Sequence, residues 1–317
     1  MTVPTNLVST VSSVGQREDL EDVIYRVAPE KTPFVSMIGK GKAKARTHEW
    51  QTESLAAADA TNAAVEGDDA PTLAANTTTR LKNFCQIFVK AYGVSRTQEL
   101  VDMAGRSSEL VRQRVIKGVE IRRDMEKRFI GNYASNDESG STPRRSAGLL
   151  AWITTNDSRG SGGSDGGYSG GTVSAATNGT QRTLTEALVK AALATAFNTG
   201  ADVKVAFMGA THKQQFSAFT GIADIRKEVT GRGQATIIAG ADVYVGDFNE
   251  IALVPHPYGL TRDIALVDPS MAAVASLDGV KTEALAKTGD SNRELMTMEA
   301  TLVVRNEAAH AVVADLT

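Results

Sequence analysis

The sequence predicts an α+β fold, and three stretches carry that prediction. Between Ser107 and Tyr133, apolar residues recur every fourth position, Val111, Val115 and Val119 on one line and Ile121, Met125 and Phe129 on another. That is the period of a helix, and about 27 residues at 1.5 Å each make it about 40 Å long. Near the C-terminus, Met296, Met298, Ala300, Leu302 and Val304 alternate with Thr297, Glu299, Thr301, Val303 and Arg305, the period of a strand with one buried face. The third stretch is "EWQTESLAAADATNAAVEGDDAP", Glu49 to Pro71, a run of small and acidic residues that offers a core almost nothing. Loops beyond about 12 to 15 residues are uncommon in compact domains and are usually functional or disordered when they occur.

Composition narrows the class. The chain has 317 residues, 42% hydrophobic, 22% charged and only 5% aromatic, which describes a globular protein with an aliphatic core. A net charge of -3 gives no bulk attraction to nucleic acid or an anionic membrane. No stretch approaches the roughly 18 to 20 apolar residues of a membrane span. No Lys or Arg precedes Arg17 and no apolar h-region follows, so no signal peptide is expected, and the setting is a reducing cytoplasm or something built there. Cys85 is the single cysteine, which excludes an intrachain disulfide, and its apolar neighbours predict a buried, unreactive thiol.

The elements follow in order. In "REDLEDVIYRVAPEKTPFVSMIG" Leu20, Val23, Ile24 and Val27 fall at helical spacing until Pro29 and Pro33 end the helix. Lys40, Lys42, Lys44 and Arg46 then occupy alternate positions, one side of an extended chain, either a solvated strand edge or a contact for an acidic partner or phosphate. Strands near 46 to 53 and 80 to 92, the latter carrying Phe84, Ile87, Phe88 and Val89, make Glu49–Pro71 the tip of a hairpin arm. "SRTQ" from Ser95 caps the next helix. Along 107–133 Arg112, Arg114, Lys117, Arg122, Arg123, Lys127 and Arg128 outnumber the acids, and Asp124 and Arg128 are spaced for an i,i+4 pair. That face is a solvated one or turns toward nucleic acid. Residues 156–180 read as a flexible Gly/Ser loop. A helix from Thr183, with Glu186 completing a capping box, runs through Leu188, Val189, Leu193 and Phe197 to Gly200. Short elements follow: "VKVAF", a helix from Thr211, "ATIIAGADVYV", "IALV", and after "NEAAH" a last strand in "AVVADL".

No chemistry emerges from the motifs. "GYSGG" fits the spelling of a hydrolase nucleophile elbow at Ser169, but Gly fills seven of the twelve positions 160–171, so the match is a product of composition. His48, His212, His256 and His310 are scattered, with no HExxH and no cysteine partners, so no metal site is expected. "TGRGQAT" and "KTGDSN" lack the phosphate-loop frame, and Glu66, Asp68 and Asp69 lack the geometry of a calcium loop. No catalytic residue and no cofactor is expected.

Both ends of the chain carry a likeness. "NLVSTVSSVGQREDLEDVIYRVAPEKTPFVSMIGKGKAKARTHEWQTESL" and "TEALAKTGDSNRELMTMEATLVVRNEAAHAVVADL" resemble the SU10 major capsid protein family of tailed bacteriophages, with the middle, roughly 140–260, following in element order. The resemblance implies the HK97-like capsid fold: an N-terminal arm over 1–45, an extended β-hairpin loop over 46–91 lying on a neighbouring subunit, a spine helix and peripheral domain over 92–199, an axial domain over 200–268, and C-terminal strands over 269–317 returning to the peripheral domain. It further implies hexamers and pentamers in an icosahedral shell around double-stranded DNA, with portal and scaffold or decoration partners, weak non-specific DNA contact and no membrane. Such a protein is part of a virion assembled in a bacterial cytoplasm. The subunit contacts implied are Trp50, Glu66, Asp68, Asp69 and Arg80 on the loop and Arg112, Arg122 and Arg123 on the spine helix. No long charged helix precedes the arm, so a fused scaffolding segment is not expected, and no surroundings for a covalent crosslink are recognisable. The alternative with the same fold is an encapsulin-like compartment; those from other classes are a Ser169 hydrolase and a DNA-binding protein using the basic helix face.

Overall fold

The computed structural model describes residues 31–67, 75–103, 105, 107–219 and 243–317. The helix expected at Leu20–Val27, Asp68 and Asp69 of the hairpin tip, and most of "ATIIAGADVYV" lie outside them. The described chain opens with one helical turn, α1 (Pro33–Met37), and an edge strand, β1 (Gly39–Lys42). Pro33 suits the first helical position because the N–H it lacks would have had no partner there. A hairpin, β2 (Thr47–Thr52) and β3 (Thr79–Phe84), precedes the strand β4 (Gln86–Ser95). The Ser95 hydroxyl accepts the Gln98 N–H at 3.3 Å and caps α2 (Arg96–Leu100), as the sequence predicts. Ser108 caps the long helix α3 (Glu109–Ile130) in the same way. Then come α4 (Leu149–Trp152), β5 (Asp157–Ser158), the small hairpin β6 (Gly167–Ser169) and β7 (Thr172–Ser174), α5 (Glu186–Asn198), β8 (Val205–Met208) and α6 (Ala210–Ser217). The chain closes with β9 (Val243–Val245), β10 (Glu250–Pro255), β11 (Ile264–Val267), β12 (Ala272–Ala284), β13 (Ser291–Val304) and β14 (Ala311–Val313).

Two sheets organise these elements, one of four strands ordered β1-β12-β13-β4 and one of six ordered β5-β14-β11-β8-β10-β9. The long helix α3 lies on the first. Ile121, Met125 and Phe129 are buried there with Phe88, Tyr92 and Met296, so this half of the predicted helical pattern faces the core. Val111 and Val115 do not; they stand 53% and 60% exposed. Period two also sorts β4, where Phe88, Tyr92 and Val94 point inward while Ile87 and Val89 face outward. The second sheet is covered on both sides. In β8, Val205 and Phe207 join the core that also holds Phe34 and Trp152, while Ala206 and Met208 pack under Val189, Leu193 and Phe216. A strand buried on both faces reads as the unbroken apolar run "VAFM".

Several expectations are corrected. Asp124 does not pair with Arg128: it meets Lys90 at 2.6 Å, and Arg128 donates to the carbonyls of Ser146 and Ala134 at 2.7 and 2.6 Å. The helix expected from Thr183 begins at Glu186, and Thr185 gives no side-chain cap; Gly200, with φ +83°, ends it as predicted. That helix packs with the six-stranded sheet, not with the spine helix, and β14 pairs with β11 and β5, so residues 269–317 divide between the two sheets. The alternation of β13 gives way beyond Ala300, because Val303 fills a small second cluster with Ala43, Cys85, Ala273 and Ala275.

The Gly/Ser stretch 156–180 is not a free linker. The Asp315 carboxylate accepts the N–H groups of Gly160 and Gly179 at 3.0 and 2.9 Å and the Arg262 guanidinium at 3.0 Å. Burial alone would raise the Asp315 pKa, but those donors hold it below the ordinary carboxylate range. The approach is so close that a Cβ on Gly160 would lie 2.0 Å from the Thr180 carbonyl oxygen. Glycine is required here for closeness, not for flexibility.

Candidate subunit interface

The hairpin arm has a fixed root and a bare tip. β2 and β3 pair from Thr47↔Phe84 to Thr52↔Thr79. At the root Trp50 lies 5.5 Å from Trp152, which stacks on Tyr168 at 5.7 Å, and buried Asn83 donates to the Leu302 carbonyl at 2.7 Å and accepts the Ala147 N–H at 2.9 Å. Beyond Thr52 the described chain finds no floor. Residues 53–67 and 75–80 are all exposed, Leu55 by 88% and Val65 by 75%. The tip's interactions are short-range: the Asp59 carboxylate accepts the Thr61 hydroxyl at 2.6 Å and its N–H at 2.8 Å, and the hydroxyl first among these keeps Asp59 below its usual pKa.

The predicted contact residues divide sharply. Trp50 is used within its own chain, and Arg80 pairs across the hairpin with Glu49 at 3.4 Å. Arg112 pairs with Glu109 at 2.9 Å, and the Arg123 guanidinium sits 5.5 Å from the Tyr258 ring centre. Glu66 is exposed. Arg122 is exposed and makes no ion pair among the described residues. The expected basic helix face is partly neutralised, since Arg114 pairs with Glu294 at 2.6 Å and Lys117 with Glu120 at 3.0 Å. What remains open on that face is Arg122 and Lys127, with Val111 and Val115 nearer the helix start. Lys40, Lys42 and Lys44 stand exposed along β1 and just after it.

Sequence reading missed a clasp beneath this surface. Glu126, whose side chain is fully buried, accepts the N–H groups of Phe34 at 2.7 Å and Val35 at 2.8 Å, and its Oε1 also meets His256 Nε2 at 2.8 Å. His256 Nδ1 lies 2.7 Å from the Tyr258 carbonyl oxygen. One carboxylate thus joins the arm's anchor α1, the spine helix and the end of β10. The available signal was an acid set among Met125, Phe129 and Ile130 on the helix's buried side; nothing local named its partners.

The geometry offers no catalytic constellation among the described residues. Ser169 ends a hairpin strand and is paired with Thr172, not placed on a strand-to-helix elbow. Burial, first, and the Glu299 charge push the Cys85 thiol up to about 11, so it stays protonated. His310 is wholly buried, which drives its pKa down to about 4, and burial also lowers His212. No group of three or more His, Cys, Asp or Glu could hold a metal ion among the described residues, and no helix among them is long and apolar enough to cross a membrane.

Solved shell proteins superpose on almost the whole chain. The chain superposes on one from the capsid of cyanophage A-1(L) over 99% of its own length and 100% of the other's, with a TM-score of 0.59 at 13% identity. It also superposes on the SrpI encapsulin of Synechococcus elongatus over 95% and 92%, with a TM-score of 0.55 at 9% identity. The fold is therefore the HK97-like shell fold. In sequence, residues 4–317 match the model of the SU10 major capsid protein. A stretch of 137 residues is 37% identical to the major capsid protein of Escherichia phage Phieco32, covering 43% of this chain and 39% of that relative's own length. The chain belongs to the SU10 major capsid protein family.

Proposed function

We propose that this chain is the subunit from which the icosahedral head of a tailed phage is built, many copies closing as hexamers and pentamers around double-stranded DNA, and that its role is structural, with no catalytic step. The observation that carries the reading is the hairpin arm: a root locked by Trp50 and Asn83 supports a tip whose every described residue is exposed. A tip of that kind finds its floor on another copy. Rotational closure requires each subunit to present two different surfaces, and an arm crossing to a neighbour makes release depend on several contacts breaking together. In this reading 200–268 forms the axial domain at the capsomer centre, portal and scaffold or decoration proteins are the further partners, and the particle is assembled in the host bacterial cytoplasm. Contact with DNA is weak and non-specific, in keeping with a net charge of -3 and a spine helix on which Arg112, Arg114 and Lys117 are in ion pairs.

Negative-stain electron microscopy with light scattering of the purified protein tests this. Shells, capsomers or tubes are expected; a monomer at all concentrations, with and without the scaffold and portal proteins of its source, refutes it. The likeness to an encapsulin supports one second reading, a protein compartment of the same fold. Particles isolated from their source containing a protein cargo, no DNA and no portal would favour it.

A further inference from the structure

The two basic features singled out in the sequence, the run beginning at Lys40 and the spine-helix arginines, meet at one groove. Its floor is apolar, made by Val35 of α1, Met125 of α3, Val274 of β12 and Met298 of β13, and Lys40 and Arg122 stand on its walls around a cavity of about 240 Å³. Neither cation has an ion-pair partner among the described residues, whereas Lys90, Arg112, Arg114 and Lys117 do. An apolar floor between two uncommitted cations calls for an occupant that is apolar and acidic.

The hairpin tip has that composition. From Glu53 to Gly67 it carries Glu53, Asp59 and Glu66 and no Lys, Arg or His, and its large apolar side chains, Leu55 and Val65, are the two most exposed in the described chain. Thirteen or so residues on each side of the tip give an extended reach of about 40 Å, against a radius of gyration of about 20 Å for a compact chain of this length. A reach of that order is long enough to carry the tip beyond its own body. The other grooves fit less well. The one between β4 and α3 has Asp124 in its wall, and its Arg128 is committed to two backbone carbonyls. The one at the hairpin's root shares Lys40 and is lined by Trp50, Ala273, Ala275 and Val303, but its second cation, Arg305, donates to the Ser270 carbonyl at 3.0 Å, so it offers one uncommitted cation and not two.

We propose that the groove between Lys40 and Arg122 receives the hairpin tip of a second copy of this chain, Leu55 or Val65 entering the apolar floor while the tip's carboxylates meet the two cations. The inference rests on the self-assembly reading and specifies where the arm lands. Charge pairs at such a rim steer the approach and fix the register, and the buried side chain holds the contact once made.

The test uses the unaltered protein. Normal-isotope and 15N-labelled chains are mixed, assembled, treated with a carbodiimide that joins lysine directly to carboxylate, and analysed by mass spectrometry, with micrographs of the same sample. Mixed-isotope links from Lys40 to Glu53, Asp59 or Glu66 are expected in shells and absent from unassembled protein. In Arg122→Lys, whose position lines this groove and not the one at the hairpin's root, links from position 122 are expected as well; links from Lys40 with none from position 122 overturn the groove assignment. In Lys40→Arg, which keeps the charge, shells persist and those links are lost. Shells whose hairpin carboxylates link only to other lysines overturn the groove assignment and leave the shell reading standing. A failure to form any shell, capsomer or tube, with and without the scaffold and portal proteins of its source, refutes both, and the micrographs tell the two results apart.

Discussion

Replacing Glu126 by Ala should release the arm's anchor without unwinding the spine helix. Alanine is the strongest helix former, so α3 keeps its local propensity. Lost instead are the acceptors for the Phe34 and Val35 N–H groups, at 2.7 and 2.8 Å, and the partner of His256 Nε2. A buried donor left without a partner costs about 1 to 3 kcal/mol, so the two amides of α1 together lose about 2 to 6 kcal/mol of local stability. At about 1.4 kcal/mol per factor of ten, that corresponds to roughly 30- to 20,000-fold faster exchange of those amides. Hydrogen exchange read by mass spectrometry on peptides covering residues 32–38, in unassembled protein, measures it directly. Peptides from α5, in the other core, should keep their protection. His256→Ala leaves both amide contacts of the carboxylate in place and should loosen 32–38 less than Glu126→Ala. Unchanged protection of 32–38 in Glu126→Ala, or equal effects from the two variants, would refute the claim that the carboxylate holds the anchor.

Two other consequences are open to measurement. His310 is held neutral, with a folded pKa of about 4 against 6.5 for the unconstrained group; the unfolded chain takes up the proton first, so stability is complete above about pH 6.5 and falls by about 2 to 3 kcal/mol by about pH 4.5. Urea unfolding of native protein and His310→Asn at about pH 7 and about pH 4.5 should show the smaller acid loss in the variant, and equal losses would contradict the assignment. Asp315→Gly retains the backbone at φ +58° but removes the carboxylate that Gly160, Gly179 and Arg262 share; trypsin should then cut after Arg159, which is buried in the native fold, and an unchanged digest would show that the loop is held by something else.

The parts legible in the sequence were those with a local period. Ile121, Met125 and Phe129 marked the spine helix, "VKVAF" a short strand, and Ser95 a helix start, because each signal lies within a few residues of its effect. The failures lie where a partner is distant. Asp124 had two cations within reach, Arg128 one turn along its helix and Lys90 on β4; the strand won, because Arg128 was already drawn to carbonyls at the end of the helix. Glycines in 156–180 suggested freedom, yet Asp315, more than a hundred residues away, draws Gly160 and Gly179 against the body. Glu126 and His256 are separated by 130 residues, and no window of sequence relates them.

The hairpin was legible for the opposite reason, since its signal was the absence of anything to bury. A chain that folds alone loses nothing by trimming such a tip, because exposed small polar residues add ordering entropy without burying apolar area. Keeping it makes physical sense if the floor is supplied from outside the chain. The locked root then has a purpose: Trp50 against Trp152, with Asn83 bonded on both sides, fixes the direction in which the tip leaves the body, so less orientational freedom remains to be lost when it meets a neighbour. Rigid root and unfloored tip are two halves of one device. The protein's own fold supplies the first, and in the self-assembly proposed above a second copy supplies what the other half lacks.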